Sequence, residues 1–111
     1  IIGLLDFPRE GLPKGQSYKV PVARFGSDPT AWAKFNPINN VGQLKQMSIC
    51  IITGKTAFDL TMNRNFAARL KESGKEYQWH ELPGSHSLST VRQAVPIVIK
   101  FMSEKFRTSG N

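Results

Sequence analysis

The chain has 111 residues, of which 40% are hydrophobic and 21% are charged, a composition typical of one globular domain. Its longest apolar runs, Ile49–Thr53 and Pro96–Ile99, are too short to span a bilayer, so we expect no membrane partner. The formal net charge is +7, but the basic residues form no dense run and no RNA-binding pattern of interleaved aromatics. This spread favours a basic solvated surface over a nucleic-acid partner.

The amino terminus is an apolar stretch, Ile1–Leu5, that lacks a preceding basic segment and a following cleavage site. Such a stretch is not typical of a signal peptide and is better interpreted as part of a strand. We therefore expect the chain to be a piece of a longer protein. Its compartment stays open, with the cytoplasm favoured.

The chain contains one cysteine, Cys50, within the apolar run Met47–Ile52. A disulfide or a four-cysteine metal site within the chain is therefore excluded. The apolar surroundings predict a buried and unreactive thiol.

The chain is predicted to form one segment in three parts: a loop-rich lead-in at 1–27, alternating helices and strands at 28–106, and a tail at 107–111. A short helix is predicted over 28–36, because Asp28 suits the N-cap and Pro29 the first helical position. Trp32 and Phe35 fall on one face of this helix, and we expect them in the core.

Two strands are predicted, near 47–53 and near 76–82, separated by an amphipathic helix over 60–73 with apolar residues four apart. The order predicts an α/β fold in which the strands are parallel neighbours joined by a right-handed helical crossover. Two strands make no stable sheet by themselves, so we expect a large exposed apolar edge, where the rest of the sheet is missing, and a partner. That partner is a missing N-terminal half or another copy of the chain.

A final helix is predicted from Ser87 to Phe106, broken near Pro96 because proline cannot donate the helical hydrogen bond. Its second part is expected to bury five apolar side chains, namely Val95, Val98, Ile99, Met102 and Phe106.

Three ordered stretches resemble a family of esterases. They are Phe25–Trp32 with Asn36-Pro37, Ile51–Phe58 with Asn63–Phe66 and Leu70–Gly74, and Glu81–Ser87 with Val91–Pro96. Over residues 20–106 they are similar to the C-terminal part of the α/β-hydrolase family that includes S-formylglutathione hydrolases and tributyrin-type and feruloyl-type esterases. The resemblance implies an α/β-hydrolase fold and a Ser-His-Asp mechanism acting on a small ester substrate, without a cofactor.

In that fold the triad runs in the order serine, acid, histidine, and the serine lies in a G-x-S-x-G motif. The chain contains no such motif, so the resemblance implies that the serine lies outside it and that the chain alone is inactive. The resemblance assigns His86, which follows the Pro83-Gly84 turn, as the catalytic histidine. A surface or helix-capping histidine is the alternative.

The triad acid has two candidate positions. In the family it lies three residues after the glycine that ends the strand, a position occupied here by Ala57. Asp59 lies two residues further on and is the nearest carboxylate. Asp59 serves through a shifted turn, or the acid has been lost, or Ala57 is an engineered substitution. Asp59 also suits the start of a helix, where the helix dipole favours negative charge.

His80 lies inside the second predicted strand and is expected on the strand surface. His80 and His86 lack metal-ligand spacing and an accompanying carboxylate cluster, so no metal is predicted. Two functions follow: a serine carboxylic-ester hydrolase, or a catalytically silent esterase-like domain used for binding or assembly.

Overall fold

The computed structural model describes residues 5–6, 26–44 and 46–109. The lead-in predicted at 1–27 and the end of the tail at 110–111 lie largely outside these described residues. Within them, helices and two strands follow one another in the predicted order. The elements are α1 (Pro29–Trp32), two 3-10 helices (Ala33–Phe35 and Pro37–Gln43), β1 (Cys50–Gly54), α2 (Leu60–Glu72), β2 (Gln78–Leu82) and α3 (Leu88–Ser109).

The two strands pair in parallel, with Cys50 opposite Gln78 and Gly54 opposite Leu82. This confirms the predicted parallel pair, although each strand is shorter than expected at its amino end. All five residues of β1 are buried, as its uninterrupted apolar pattern indicates, because helices cover both of its faces. The fold is thus a small α/β arrangement with β1 at its centre.

One face of β1 packs against α2, whose buried side chains recur at helical spacing. Met62, Phe66 and Leu70 are almost completely buried, and the last two share a core cluster with Ile51 of β1. The helix ends where predicted, because Gly74 adopts a φ of 74°, a left-handed conformation that glycine enters without steric cost. The predicted crossover helix is therefore confirmed to within one residue.

The other face of β1 packs against α3. Ala94 is buried against Cys50 and Ile52, and Ile97 and Phe101 pack beside them. The break predicted at Pro96 was wrong, because α3 runs through it for 22 residues. Pro96 lies on the exposed side of the helix, and residues before and after it, Ala94 and Ile97, pack on the sheet.

The opposite side of α3 presents an exposed apolar face. Its side chains are between 38% and 67% exposed: Leu88, Val91, Val95, Val98, Ile99, Met102 and Phe106. The prediction that the last five are buried was wrong for this chain, because no described residue covers that side of the helix. An exposed apolar edge was expected where the sheet is incomplete, and the exposed apolar surface seen among the described residues lies mainly on this helix. None of the helices formed by the described residues has the length and apolar character that crossing a bilayer requires.

The short helix α1 departs from the prediction. Trp32 is half-buried and donates its indole N–H to the Gly26 carbonyl at 2.9 Å, while Phe35 is 48% exposed. Their expected place in the core was therefore wrong. The α-helical turn tightens into a 3-10 helix at Ala33, which changes the facing of the residues, and Ile38 and Val41 fill the core instead.

Candidate active site

Two loops meet at the carboxyl edge of the strand pair, where α/β proteins place their functional residues. Asp59 follows β1 and stands at the N-cap of α2, and His86 follows β2 and precedes α3. Because the strands are parallel, both loops leave the same edge of the sheet. The two residues predicted as catalytic are therefore brought together.

His86 Nδ1 lies 3.2 Å from Asp59 Oδ2. The carboxylate is almost completely buried, with 2% of its side chain exposed, whereas 39% of the imidazole is exposed. The ring of Phe58 lies beside the imidazole, with 5.1 Å between the centroids. This geometry favours the tautomer in which Nδ1–H donates to Asp59, and it leaves Nε2 to accept a proton from a reacting group.

The main chain after β1 explains how Asp59 reaches His86. Ala57 N donates to the Gly54 carbonyl at 3.1 Å, and Leu60 N donates to the Ala57 carbonyl at 3.2 Å, so the chain makes successive turns before α2. The Asp59 side chain accepts no capping hydrogen bond from the helix. It points at His86 instead, so helix capping does not account for its position.

Ala57 lines the same small cavity as Asp59 and His86, a space of about 20 Å³ that also borders Thr53 and Thr90. The position where the resembled family carries its acid therefore lies beside the histidine, but it holds a methyl group. A cavity of this size accommodates roughly one water molecule. Both candidate positions line this cavity with His86, and among the described residues that line it only Asp59 has a carboxylate.

The loop that carries His86 is fastened to the end of β1. A Cβ atom on Gly54 would overlap the Gly84 carbonyl oxygen and lie 2.9 Å from that of Ser85, so only glycine permits this approach. Thr56 N donates to the Gly84 carbonyl at 3.0 Å, and Lys55 N donates to the Leu82 carbonyl at 2.8 Å. These contacts set the distance between the two loops.

The helix side of the histidine loop is anchored as well. Thr90 N donates to the Ser87 hydroxyl at 3.5 Å, and Gln93 donates to the Pro83 carbonyl at 3.2 Å. Gly84 has a φ of 118°, a conformation in which a side chain would also meet the Thr90 hydroxyl. His86 thus stands on a loop that is fixed at both ends.

Two further polar residues are buried beside the acid, and the sequence had not singled them out. Asn63, one turn along α2 from Asp59, donates its side-chain amide to the Thr53 hydroxyl at 3.1 Å. Both residues are buried, and the Asn63 main-chain N–H donates to the Asp59 carbonyl at 2.9 Å. Their signal in the sequence was a polar side chain on the apolar side of α2, next to Met62.

Other candidate groups take no part in this site. His80 is half-buried on β2, with Nε2 3.3 Å from Gln78 Oε1, in keeping with its expected place on the strand. Cys50 is buried, as predicted, and its burial raises the pKa of the thiol. Within the described ranges, no three His, Cys, Asp or Glu side chains form a group that could hold a metal ion.

A wider cavity, of about 800 Å³, lies at the amino ends of the strands, where Ile49 and Tyr77 precede β1 and β2. It is therefore at the opposite end of the strand pair from His86 and Asp59. It is an open groove, and neither His86 nor Asp59 lines it.

Comparison with known proteins adds no assignment: the chain matches no protein-family model, no curated protein and no solved structure. The function must therefore be inferred from the arrangement of His86, Asp59 and the groups that hold them.

Proposed function

We propose that this chain is the C-terminal part of a serine carboxylic-ester hydrolase with an α/β-hydrolase fold, in which His86 is the general base and Asp59 is the triad acid. The observation that carries the proposal is the 3.2 Å contact between His86 Nδ1 and the buried Asp59 carboxylate. A carboxylate on one imidazole nitrogen and a second nitrogen left to take a proton are what nucleophilic ester hydrolysis requires of a histidine.

The reaction would proceed in two proton-balanced steps. His86 Nε2 takes the proton of a serine hydroxyl as its oxygen attacks the ester carbonyl, and Asp59 stabilises the imidazolium that forms. The imidazolium then returns the proton to the departing alkoxide, which leaves as an alcohol. Water repeats the sequence on the acyl-serine, releasing the carboxylic acid and regenerating the hydroxyl.

The chain carries no G-x-S-x-G motif, so in this proposal the serine comes from polypeptide other than these 111 residues. The exposure of the His86 imidazole at the sheet edge supports such an arrangement, because an incoming serine could approach Nε2. The exposed apolar face of α3 provides surface against which further polypeptide could pack.

The proposal is tested in the protein that carries this segment at its natural length. A fluorophosphonate probe should label a serine, and hydrolysis of a simple aryl ester should be lost in His86→Ala by at least about a hundredfold. His80→Ala is the matched control, because His80 lies on β2 away from the Asp59 contact, and it should keep parental turnover. Equal turnover in His86→Ala and the parent would rule out the assignment.

A catalytically silent esterase-like domain used for binding or assembly is the second candidate. Two observations favour it: Ala57 occupies the position where the resembled family has its acid, and α3 exposes an apolar face. Under this alternative the fluorophosphonate probe labels nothing, and His86→Ala changes no activity.

A further inference from the structure

Two buried oxygen atoms beside the candidate site have no hydrogen-bond donor among the described residues. They are Oδ1 of Asp59 and Oδ1 of Asn63. Buried polar atoms are almost always paired, so two orphan acceptors one helical turn apart call for an explanation. The explanation should supply a donor to each oxygen.

The side chain of Asn63 offers one. The oxygen and nitrogen of an asparagine amide have nearly the same shape, and its orientation is assigned from the surrounding hydrogen bonds. Asn63 contacts Thr53, whose hydroxyl either accepts or donates. With the amide reversed, Asn63 Oδ1 accepts from the Thr53 hydroxyl. The amide nitrogen of Asn63, with its two N–H donors, then stands where the unpaired oxygen stood.

We propose that Asn63, oriented by Thr53, is a positioning residue whose amide donates to Asp59 Oδ1. Asn63 lies four residues after Asp59, a spacing at which side chains at the start of a helix are neighbours. One oxygen of the carboxylate is then held by Asn63 and the other by His86, so the carboxylate cannot rotate away from the imidazole. The catalytic consequence rests on the function proposed above.

The arrangement also accounts for how an acid at position 59 could serve in place of one at position 57. Asp59 lies at a helix start, where its side chain has competing partners in the free N–H groups of the first turn. A donor on Oδ1 from Asn63 directs the carboxylate to His86. Thr53 sits at the end of β1 and fixes Asn63 relative to the sheet.

The test compares Thr53→Val, Thr53→Ser and Asn63→Ala in the protein that carries this segment at its natural length. The readout is the fraction of the Nδ1–H tautomer of His86, from imidazole 15N chemical shifts at pH about 9, where an ordinary imidazole is neutral. Thr53→Val and Asn63→Ala should lower this fraction several-fold, whereas Thr53→Ser should retain it. Asn63→Ala removes the amide donor without adding a charge, so it tests the lost donor even if Thr53→Val unfolds.

A merely structural role gives a different result. If Thr53→Val and Asn63→Ala lower the melting temperature but leave the tautomer fraction of His86 at its parental value, the proposal is overturned. Turnover measured in parallel separates this outcome from failure of the proposed function. A tautomer shift without any His86-dependent ester hydrolysis upholds the positioning role and removes the hydrolase.

Discussion

His86 Nδ1 lies 3.2 Å from Asp59 Oδ2, although 27 residues separate the two in the chain. The parallel pairing of β1 and β2 produces this contact, because each residue stands in the loop that follows one of the two strands. The proposed chemistry depends on this contact between the buried carboxylate and Nδ1 of the imidazole.

Gly54→Ala should destabilise the fold, because the added methyl group would overlap the main chain of the histidine loop at Gly84. We expect a loss of about 1–3 kcal/mol in the free energy of unfolding, as for other overpacked sites. The control is Gly42→Ala, at a position where a Cβ atom has open space. Urea unfolding followed by circular dichroism measures both, and equal midpoints for the two variants would contradict the close approach.

The ion pair between Arg64 and Glu81 should make stability depend on pH. Arg64 Nε lies 2.7 Å from Glu81 Oε1, and this hydrogen bond lowers the pKa of Glu81 below its ordinary value. A carboxyl whose folded-state pKa is lowered contributes stability that is present above its unfolded-state pKa of about 4.3 and lost as pH falls through the folded-state pKa.

Arg64→Gln should therefore lower the melting temperature at pH about 7, and the difference from the parent should shrink as pH falls below about 4. The effect should be small, because the guanidinium is largely solvent-exposed. Arg69→Gln is the control, since its partner Glu72 is mostly exposed. A pH-independent difference for Arg64→Gln would be inconsistent with the pair.

The exposed apolar face of α3 should make the 111-residue chain self-associate. Val95→Lys combined with Met102→Glu places charges on this face and should shift the chain toward monomer in sedimentation velocity. Ser89→Lys, an exposed polar position on the same helix, should not. If the parent chain sediments as a stable, well-packed monomer, the expected need for a partner is wrong.

Much of the fold was predictable from local patterns. The helix over Leu60–Glu72 repeats its apolar residues at one spacing and ends at a glycine, and β1 is a continuous apolar run. Pro96 misled the prediction because α3 continues through it, with residues on both sides of the proline packed against the sheet, and no local pattern indicates that packing. Trp32 and Phe35 misled it because the tightening to a 3-10 helix changed which way they face.

The candidate site was only partly predictable. The resemblance to esterases singled out His86, and Asp59 was the carboxylate nearest to the position that the resemblance assigns to the acid. The choice between positions 57 and 59 depends on the turns of the main chain after Gly54. Asn63 and Thr53 were missed, because one polar residue on an apolar helix face and one in an apolar strand do not reveal that they meet. Their pairing depends on how α2 lies on β1.

Moving the acid from position 59 to position 57 should preserve part of the activity. Ala57, Asp59 and His86 line the same small cavity, so a carboxylate introduced at position 57 should reach the imidazole. In the protein at its natural length, Ala57→Asp combined with Asp59→Asn should hydrolyse aryl esters at least about tenfold faster than Asp59→Asn alone. If the double variant is no more active than Asp59→Asn, a carboxylate at position 57 does not serve as the partner of His86.

Ester turnover by Asp59→Asn in the protein at its natural length tests the assignment of the acid most directly. The substitution keeps the shape of the side chain but removes the charge that orients the imidazole and stabilises the imidazolium, so kcat should fall by about a hundredfold to ten-thousandfold. The melting temperature should change little if folding is intact. Parental turnover in Asp59→Asn would contradict the pairing of Asp59 with His86 as the catalytic acid and base.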